Sequence, residues 1–306
     1  MTMAQREGQR AIPALAKDPQ MVRQIELAVQ QVPSHHKLAL HDCRQMESVP
    51  DESVHLVVTS PPYWNLKQYP DRDGQLGLVE EYEDFLEELD KVWQHVLRAL
   101  VPGGRLVVVV GDVCLPRRTF GRHVVFPLHA SIQEHCRTLG FDNLAPVIWY
   151  KISNAKFEVE NGSRFLGKPY EPNAIIKNDI EYLLFQRKPG SYRRPTLEAR
   201  ILSVIPETDH REWFQQVWTM GGASTRQHPA PYPVALAERL VRMFSFVGDT
   251  VLDPFMGSGT TNVAASRWGR NSIGVEIEPT YYELACRRLG QDRQHQLPLT
   301  ALEASR

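Results

Sequence analysis

The chain alternates short apolar runs with longer amphipathic stretches. The runs are rich in Val, Ile and Leu, which is typical of strands buried on both faces of a parallel sheet. Strands of the parallel sheet are predicted at 38–41, 55–59, 105–112, 249–253 and 271–277. Two more strands, at 144–150 and 180–186, are expected to form an antiparallel pair at the end of that sheet.

The clearest helical pattern lies after the predicted strand at 55–59. From Tyr82 to Leu100, apolar side chains recur at the i, i+3, i+4, i+7 spacing of one helix face. The first turns are acidic, which suits the positive end of the helix dipole, and Pro102 with the two glycines after it ends the helix. Further helices are predicted at 126–139, 232–246, 260–268 and 279–289, with a weakly amphipathic one at 19–32.

This alternation of strands and helices predicts an α/β fold, with a mostly parallel sheet and helices on both faces. Ligands of such folds bind at the carboxyl ends of the strands, so loops that directly follow strands are the candidates for chemistry. We divide the chain into an N-terminal helical extension (1–36), one α/β domain built from 37–150 and 228–290, an irregular middle region (151–227) that includes the strand near 180–186, and a frayed tail (291–306).

Composition excludes several classes of protein. Hydrophobic residues make up 42% of the chain, and no apolar run approaches the ~18 residues that span a bilayer, so we expect no membrane segment. The first residues lack the apolar core of a signal peptide, and we therefore expect a cytoplasmic location. The four cysteines are widely spaced with no CxxC pair, so we expect neither a disulfide framework nor a metal site.

Positive charge is concentrated in the middle of a chain whose net charge is only -1. Residues 151–200 carry 10 Lys/Arg against 6 Asp/Glu, whereas residues 1–150 carry 15 against 19. A surface that binds a nucleic-acid backbone needs local positive charge, so the middle region is the candidate for such a surface. A solvated loop region would explain the same excess equally well.

A glycine-rich loop, Asp253-Pro-Phe-Met-Gly-Ser-Gly-Thr-Thr261, joins a predicted strand to a helix. Gly257 and Gly259 allow a ligand to approach the backbone closely, and the helix that follows can receive a carboxylate at its N-terminus. Glu276 ends the next strand, where a carboxylate can accept hydrogen bonds from both hydroxyls of a ribose. Neither a P-loop nor a GxGxxG dinucleotide motif is present. A generic strand-to-helix turn with a surface glutamate is the alternative.

A second loop, Ser60-Pro-Pro-Tyr-Trp64, directly follows the strand at 55–59. The Ser60 hydroxyl and the Pro61 carbonyl are acceptors suited to the two N–H groups of an exocyclic amine, and Pro61 and Pro62 stiffen the loop. Tyr63 offers a flat face on which a flipped base can stack, and Trp64 would form a wall of the same pocket. The alternative is a proline-rich turn with two core aromatics.

Together the two loops strongly resemble those of the amino-methyltransferases of DNA, which make N4-methylcytosine or N6-methyladenine. The family's catalytic motif is matched by Ser60, Pro61, Pro62 and Tyr63. Its cofactor motif is matched by Asp253, Pro254, Phe255, Gly257, Ser258, Gly259 and Thr260. A catalytic motif that precedes the cofactor motif resembles the β arrangement of the family. That arrangement implies a circularly permuted methyltransferase fold of Rossmann type with a seven-stranded sheet.

The resemblance covers about residues 38–290 and implies further roles. S-adenosylmethionine (AdoMet) is the implied cofactor and double-stranded DNA the implied substrate, with a cognate restriction endonuclease as a further expected partner. Glu276 would bind the cofactor ribose, Asp42 its adenine, and Thr225 its methionine end. The short recognition region implies a monomer or a homodimer.

The family places its target-recognition region between the two motifs, which corresponds to 151–227 here. The residues that we predict to contact DNA are Trp64, Lys151, Arg164, Lys168, Arg193 and Arg194. For each of these arginines, a solvated surface charge is the equal alternative.

In the family, Ser before Pro-Pro-Tyr goes mostly with cytosine N4 and Asp with adenine N6, so we predict a cytosine-N4 enzyme. The adenine-N6 reaction on the same scaffold remains the alternative. Methylation at cytosine C5 is disfavoured, because it uses a cysteine that usually follows a proline and none of the four does. Protein glutamine methyltransferases carry the two motifs in the opposite order. A catalytically inactive DNA-binding homologue would be expected to carry damaged loops, and both loops are intact here.

Overall fold

The fold is taken from a computed structural model that describes residues 3–66, 70–115, 117–151, 178–223 and 231–296. Within these ranges the main sheet has eight strands in the order β1-β10-β9-β2-β3-β7-β6-β8. The strands are β1 His36–Leu40, β2 Val54–Thr59, β3 Leu100–Val110, β6 Asp142–Tyr150, β7 Ile180–Arg187, β8 Val217–Thr219, β9 Thr250–Asp253 and β10 Asn271–Glu276. A separate hairpin pairs β4 Val113–Leu115 with β5 Val124–Phe126.

The prediction of a mostly parallel sheet is confirmed. Strand β7 runs antiparallel to both of its neighbours, β3 and β6, and every other pair in the main sheet is parallel. The expectation of seven strands was wrong by one. The additional strand, β8, is only three residues long and pairs at the edge with β6, so it carries too little pattern to be found in the sequence.

Helices cover both faces of the sheet, as the alternation predicts. The helices are α1 Met3–Lys17, α2 Pro19–Gln30, α3 Tyr82–Ala99, α4 Arg117–Phe120, α5 Leu128–Leu139, α6 Leu197–Leu202, α7 Glu207–Trp213, α8 Val234–Phe244, α9 Thr260–Arg267 and α10 Pro279–Gln296. Helices α3 and α5 pack on one face, and α8 and α9 pack on the other. None of the described helices is long and apolar enough to cross a membrane.

Strand β3 shows why its sequence is continuously apolar. Leu106 and Val108 point into the core under α3, whereas Val107 and Val109 point into the core under α8. Because successive side chains of a strand point to opposite faces, a strand covered on both sides needs apolar residues at every position. The sheet is therefore the rigid platform from which the loops at its carboxyl edge project.

The N-terminal extension consists of two helices that pack at the opposite, amino edge of the sheet. Ile25 and Val29 of α2 form a small core with Val204 and Val247. The backbone N–H of His35 donates to Oδ1 of Asn271 at the start of β10. Helix α1 was not predicted, and α6 and α7 lie in the stretch that the sequence indicated as irregular.

The last helix is longer than predicted. Helix α10 continues to Gln296, and Asp292 in its last turns accepts a hydrogen bond from Nε of Arg267 on α9. The helix therefore extends beyond residue 289, where the sequence predicted its end, and this charged pair fixes it to the neighbouring helix.

Candidate active site

The two loops singled out in the sequence meet at the carboxyl edge of the sheet. Strands β2 and β9 are parallel neighbours, with Val57 opposite Leu252, so both loops leave the sheet side by side. The hydroxyl of Thr59, at the end of β2, donates to Oδ1 of Asp253, at the end of β9, over 2.7 Å. The two loops therefore lie side by side at the edge of the sheet where ligands of such folds bind.

Asp253 is the buried centre of a hydrogen-bond network. Besides Thr59, its carboxylate accepts from the Phe255 backbone N–H at 3.1 Å and from the Tyr232 hydroxyl at 3.1 Å. Tyr232 also bonds Thr261 in the first turn of α9. Burial raises the pKa of Asp253 to about 6, although these donors oppose the rise. Asp253 therefore holds the glycine-rich loop in place, and its oxygens are occupied by protein donors.

Glu276 lies across the same loop and faces a cleft. Its Oε2 accepts from the Gly257 backbone N–H at 2.7 Å, and its Oε1 accepts from the Glu278 backbone N–H at 2.9 Å. Burial raises the pKa of Glu276 to about 7. Each carboxylate oxygen has two lone pairs, so both oxygens can still accept a hydrogen bond from a ligand in the cleft.

The cleft opens to solvent, and the space between its walls, part of it open solvent, measures about 530 Å³. Both loops contribute to its walls, together with the ends of β1 and β10 and a short turn around residue 74. Its lining includes His41, Asp42, Ser60, Gly74, Glu276 and Tyr281.

Asp42 is fixed by a neighbouring arginine. Nη2 of Arg44 lies 2.6 Å from Oδ2 of Asp42, and Nη1 of Arg44 lies 2.5 Å from Oε2 of Glu88. Gly74 closes over this pair with φ +82°, and a Cβ at that position would lie 2.9 Å from Nη2 of Arg44. Glycine alone adopts this backbone conformation without strain, and a side chain there would also displace the Arg44 guanidinium.

The loop Ser60–Trp64, which matches the family's catalytic motif and is called the catalytic loop below, contributes Ser60 and Pro62 to the cleft, whereas its aromatic residues lie deeper. Tyr63 is 6% exposed. A Cβ placed on Gly111 would lie 3.6 Å from Cε2 of Tyr63 and 3.2 Å from Cγ of Glu181. The end of β3 and the start of β7 therefore form the wall beside the tyrosine.

Trp64 was predicted to contact DNA, but its side chain lies in the core. It is 4% exposed, its Nε1 donates to the Val79 carbonyl at 2.9 Å, and its ring packs edge-on against Tyr82 and Phe126. Its φ of +46° is unusual for a residue other than glycine. Trp64 anchors the catalytic loop in the core, because its large apolar ring is covered on all sides.

A family model described as DNA methylase matches residues 54–287, which include both loops and the strands that carry them. The chain belongs to the DNA methylase family. The resemblance to the amino-methyltransferases of DNA is thereby confirmed.

Individual relatives agree with this assignment. The methylase is 37% identical over 289 residues to the type II methyltransferase M.MjaI of Methanocaldococcus jannaschii, with 85% of this chain and 92% of the relative covered. A putative DNA modification methylase of Thermus thermophilus, solved in complex with S-adenosyl-L-methionine, is 54% identical; the match covers 84% of this chain and 94% of that one, with a TM-score of 0.70. The PvuII DNA methyltransferase (cytosine-N4-specific) shares the fold at 19% identity, with 87% and 93% covered and a TM-score of 0.61.

AdoMet is the cofactor of this methylase, and the cleft fits it. Glu276 presents a buried carboxylate, suited to the two ribose hydroxyls, at the end of β10. The loop from Pro254 to Gly257 forms the wall beside it, and α9 directs its N-terminus toward the same edge. Gly259 begins α9 with φ +78°, and a Cβ there would lie 2.9 Å from Cβ of Ala285.

The structure separates the predicted cofactor residues into two groups. Pro254, Phe255, Gly257, Glu276 and Asp42 line the cleft. The others support the loop from behind: Asp253 through the network described above, and Ser258 and Thr260 through Nη1 of Arg288, which lies 2.6 Å from the Ser258 hydroxyl. Thr225 lies outside the described residues.

The predicted DNA contacts divide by edge. Lys151 follows β6 at the catalytic edge, where it pairs with Glu181 and lies 4.6 Å from the centre of the Trp149 ring. Arg193 forms a bidentate pair with the buried Asp249, at the amino edge, and Arg194 is exposed beside it. Both arginines therefore lie at the edge of the sheet opposite Ser60. Arg164 and Lys168 lie outside the described residues.

Several contributors to the site were missed in the sequence. Tyr232 and Arg288 support the cofactor loop from elements that follow or precede it by many residues, so no local pattern marks them. Gly74 could have been suspected, since an isolated glycine among polar residues indicates a turn. Ile277 also lines the cleft, and its place directly after Glu276 was a usable signal.

Proposed function

We propose that this methylase transfers a methyl group from AdoMet to the exocyclic N4 of cytosine in double-stranded DNA. The choice of base is supported by Ser60, which precedes Pro-Pro-Tyr and lines the cleft beside the cofactor loop. A neutral hydroxyl and the Pro61 carbonyl together offer acceptors for both hydrogens of one amine. Transfer of a methyl group then needs an oriented lone pair and the exclusion of water, without a covalent intermediate.

Each residue of the catalytic loop has a task in this proposal. Ser60 and the Pro61 carbonyl hold the amine hydrogens and turn the nitrogen lone pair toward the cofactor. Pro62 keeps the backbone extended so that these acceptors stay in register. Tyr63 stacks on the flipped base, which a duplex-modifying enzyme must extrude to reach the amine. When bound, AdoMet supplies a methyl group already activated by its positively charged sulfur.

Cytosine C5 methylation is disfavoured by the cleft as well as by the sequence. Cys43 lines the cleft, but it is buried, and burial raises the pKa of its thiol well above the ordinary value. Attack on C6 of cytosine requires a thiolate, and low exposure with a raised pKa is the opposite of what activates one.

Lys151 is the predicted DNA contact whose described position supports the role. The ion pair of Lys151 with Glu181 lies beside Tyr63, where the target base would enter the cleft. We propose that this lysine contacts the target strand, with Arg164 and Lys168 as further contacts. We also propose that the enzyme acts in the prokaryotic cytoplasm as the modification partner of a restriction endonuclease, as a monomer or a homodimer.

Nucleoside mass spectrometry tests the proposed base. Mixed-sequence duplex DNA is incubated with the methylase and AdoMet carrying an isotopically labelled methyl group, then digested to nucleosides. We expect labelled N4-methylcytosine, and no label with the Tyr63→Ala variant, which should still bind AdoMet. Labelled N6-methyladenine would overturn the cytosine assignment and establish the adenine reaction on the same loops. Label at C5 of cytosine would overturn the mechanism.

A further inference from the structure

A basic arm, residues 113–126, projects from the sheet directly after β3. It consists of the hairpin strands β4 and β5, with the short helix α4 between them. The arm contains three arginines and a histidine (Arg117, Arg118, Arg122 and His123) and no acidic residue. All four side chains are exposed. This cluster was not among the predicted DNA contacts, because acidic residues elsewhere in 1–150 conceal it in the regional charge balance.

The arm is held against the catalytic loop. Phe126 at its end packs on Trp64, with ring centres 5.0 Å apart, and on Tyr82, at 4.8 Å. Trp64 directly follows the catalytic Tyr63. Phe120 of α4 adds a further contact to Phe126, at 6.2 Å. The basic residues therefore lie on a hairpin that packs against the residue next to the catalytic tyrosine.

Two arginines of the arm lack the carboxylate partner that several arginines elsewhere in the described residues have. Arg187, Arg193 and Arg242 each pair with a carboxylate. Arg118 and Arg122, in contrast, form no ion pair with any residue in the described ranges. Like charges on one short arm repel each other, so Arg118 and Arg122, which have no ionic partner among the described residues, point to an external polyanion.

We propose that the basic arm binds backbone phosphates of the DNA beside the target base, with Arg118 and Arg122 as phosphate contacts. This inference rests on the proposed function and adds a surface to it. Phosphate contacts fix the register and orientation of a protein on a duplex without reading sequence. An arm attached to Trp64 would position the duplex relative to Tyr63, so that the target base lies over the cleft.

Salt-dependent DNA binding by the intact chain tests the arm. The Arg118→Ala/Arg122→Ala variant is compared with the wild type on a mixed-sequence duplex by fluorescence anisotropy. Each lost phosphate contact reduces the slope of log Kd against log salt by roughly 0.9, so we expect a decrease of about 2. The same variant should bind DNA more than ~10-fold more weakly at 0.1 M salt. Its AdoMet affinity and unfolding midpoint should be unchanged.

Two matched variants control for charge and for packing. Arg23→Ala/Arg194→Ala removes the same charge from exposed residues at the amino edge and should leave the slope unchanged. Arg118→Lys/Arg122→Lys keeps the charge and should retain most of the affinity. An unchanged slope in the alanine variant of the arm, or an equal loss in the amino-edge variant, overturns the proposal. A wild-type protein that binds no DNA would overturn the proposed function itself.

Discussion

Glu276 is the residue whose environment makes the clearest demand on function. Its carboxylate is buried, accepts two backbone N–H groups, and has its pKa raised to about 7. Near neutral pH the cofactor-free protein is therefore a mixture of protonated and ionised Glu276. Hydroxyl groups of a ribose donate to the ionised form, so cofactor binding should favour release of the proton.

AdoMet affinity should consequently fall as the pH is lowered through 7. Below the pKa of Glu276 in the free protein, binding has to remove a proton, and the affinity decreases by up to about tenfold per pH unit. Isothermal titration calorimetry between pH 5.5 and 8.5 measures this dependence. The Glu276→Gln variant should bind AdoMet more weakly than the wild type at high pH, and its affinity should not fall as the pH is lowered. Because the cofactor is the same in both titrations, the comparison also corrects for any titration of AdoMet itself. A wild-type profile as flat as that of the variant would remove Glu276 from the ribose role.

The residues that line the cleft were largely those that the sequence could indicate, because they belong to the two loops or, like Glu276, directly end a predicted strand. Ser60, Pro62, Gly257 and Glu276 all line the cleft. The pairing of Arg193, which was chosen from local charge, was not visible in the sequence, because charge alone does not show pairing. Arg193 lies 56 positions from Asp249 along the chain, and nothing in either neighbourhood indicates their contact.

At the scale of elements, the most strongly periodic helix was predicted well, whereas α1 and several short elements were missed. Helix α3 was predicted within one residue, because its 18 residues repeat the same apolar face. Strand β8 and helices α6 and α7 have three to seven residues. Elements this short are stabilised by tertiary contacts rather than by local preference, so local pattern cannot reveal them.

The junction of the cofactor loop with α9 gives a prediction at this scale. Gly259→Ala should destabilise the protein by about 1–3 kcal/mol, because alanine is strained at φ +78° and its Cβ would meet Ala285 of α10 at 2.9 Å. Gly290→Ala is the matched control. That position is helical and open, so the same change should stabilise by roughly 0.5–1 kcal/mol. Urea denaturation of both variants measures the difference. Equal effects would show that the conformation at Gly259 is not required.

Across the whole molecule the two edges of the sheet have separate tasks. The carboxyl edge holds the cleft, the catalytic loop and the basic arm. The amino edge is closed by the N-terminal helices, with Val29 nearly inaccessible in the core shared with Val204 and Val247. In the same region Arg242 forms ion pairs with Glu26 of α2 and Asp209 of α7.

This division predicts that stability and cofactor binding can be changed independently. Val29→Ala should lower the free energy of unfolding by about 1–3 kcal/mol, because it removes buried methyl groups. Leu27→Ala on the same helix should change it by less than ~0.5 kcal/mol, since Leu27 is 55% exposed. AdoMet affinity should stay at the wild-type value in both folded variants. A weaker cofactor affinity in Val29→Ala alone would show that the amino edge does act on the cleft.

The hydrogen bond between Thr59 and Asp253 joins residues 194 positions apart, which affects when activity appears during synthesis. A ribosome that adds ~5–20 residues per second needs roughly 10–40 s to pass from one residue to the other. During that interval the nascent chain carries its catalytic loop without the loop that holds the cofactor. Products of interrupted translation therefore cannot modify DNA, and only chains completed through the last strand and helix become active.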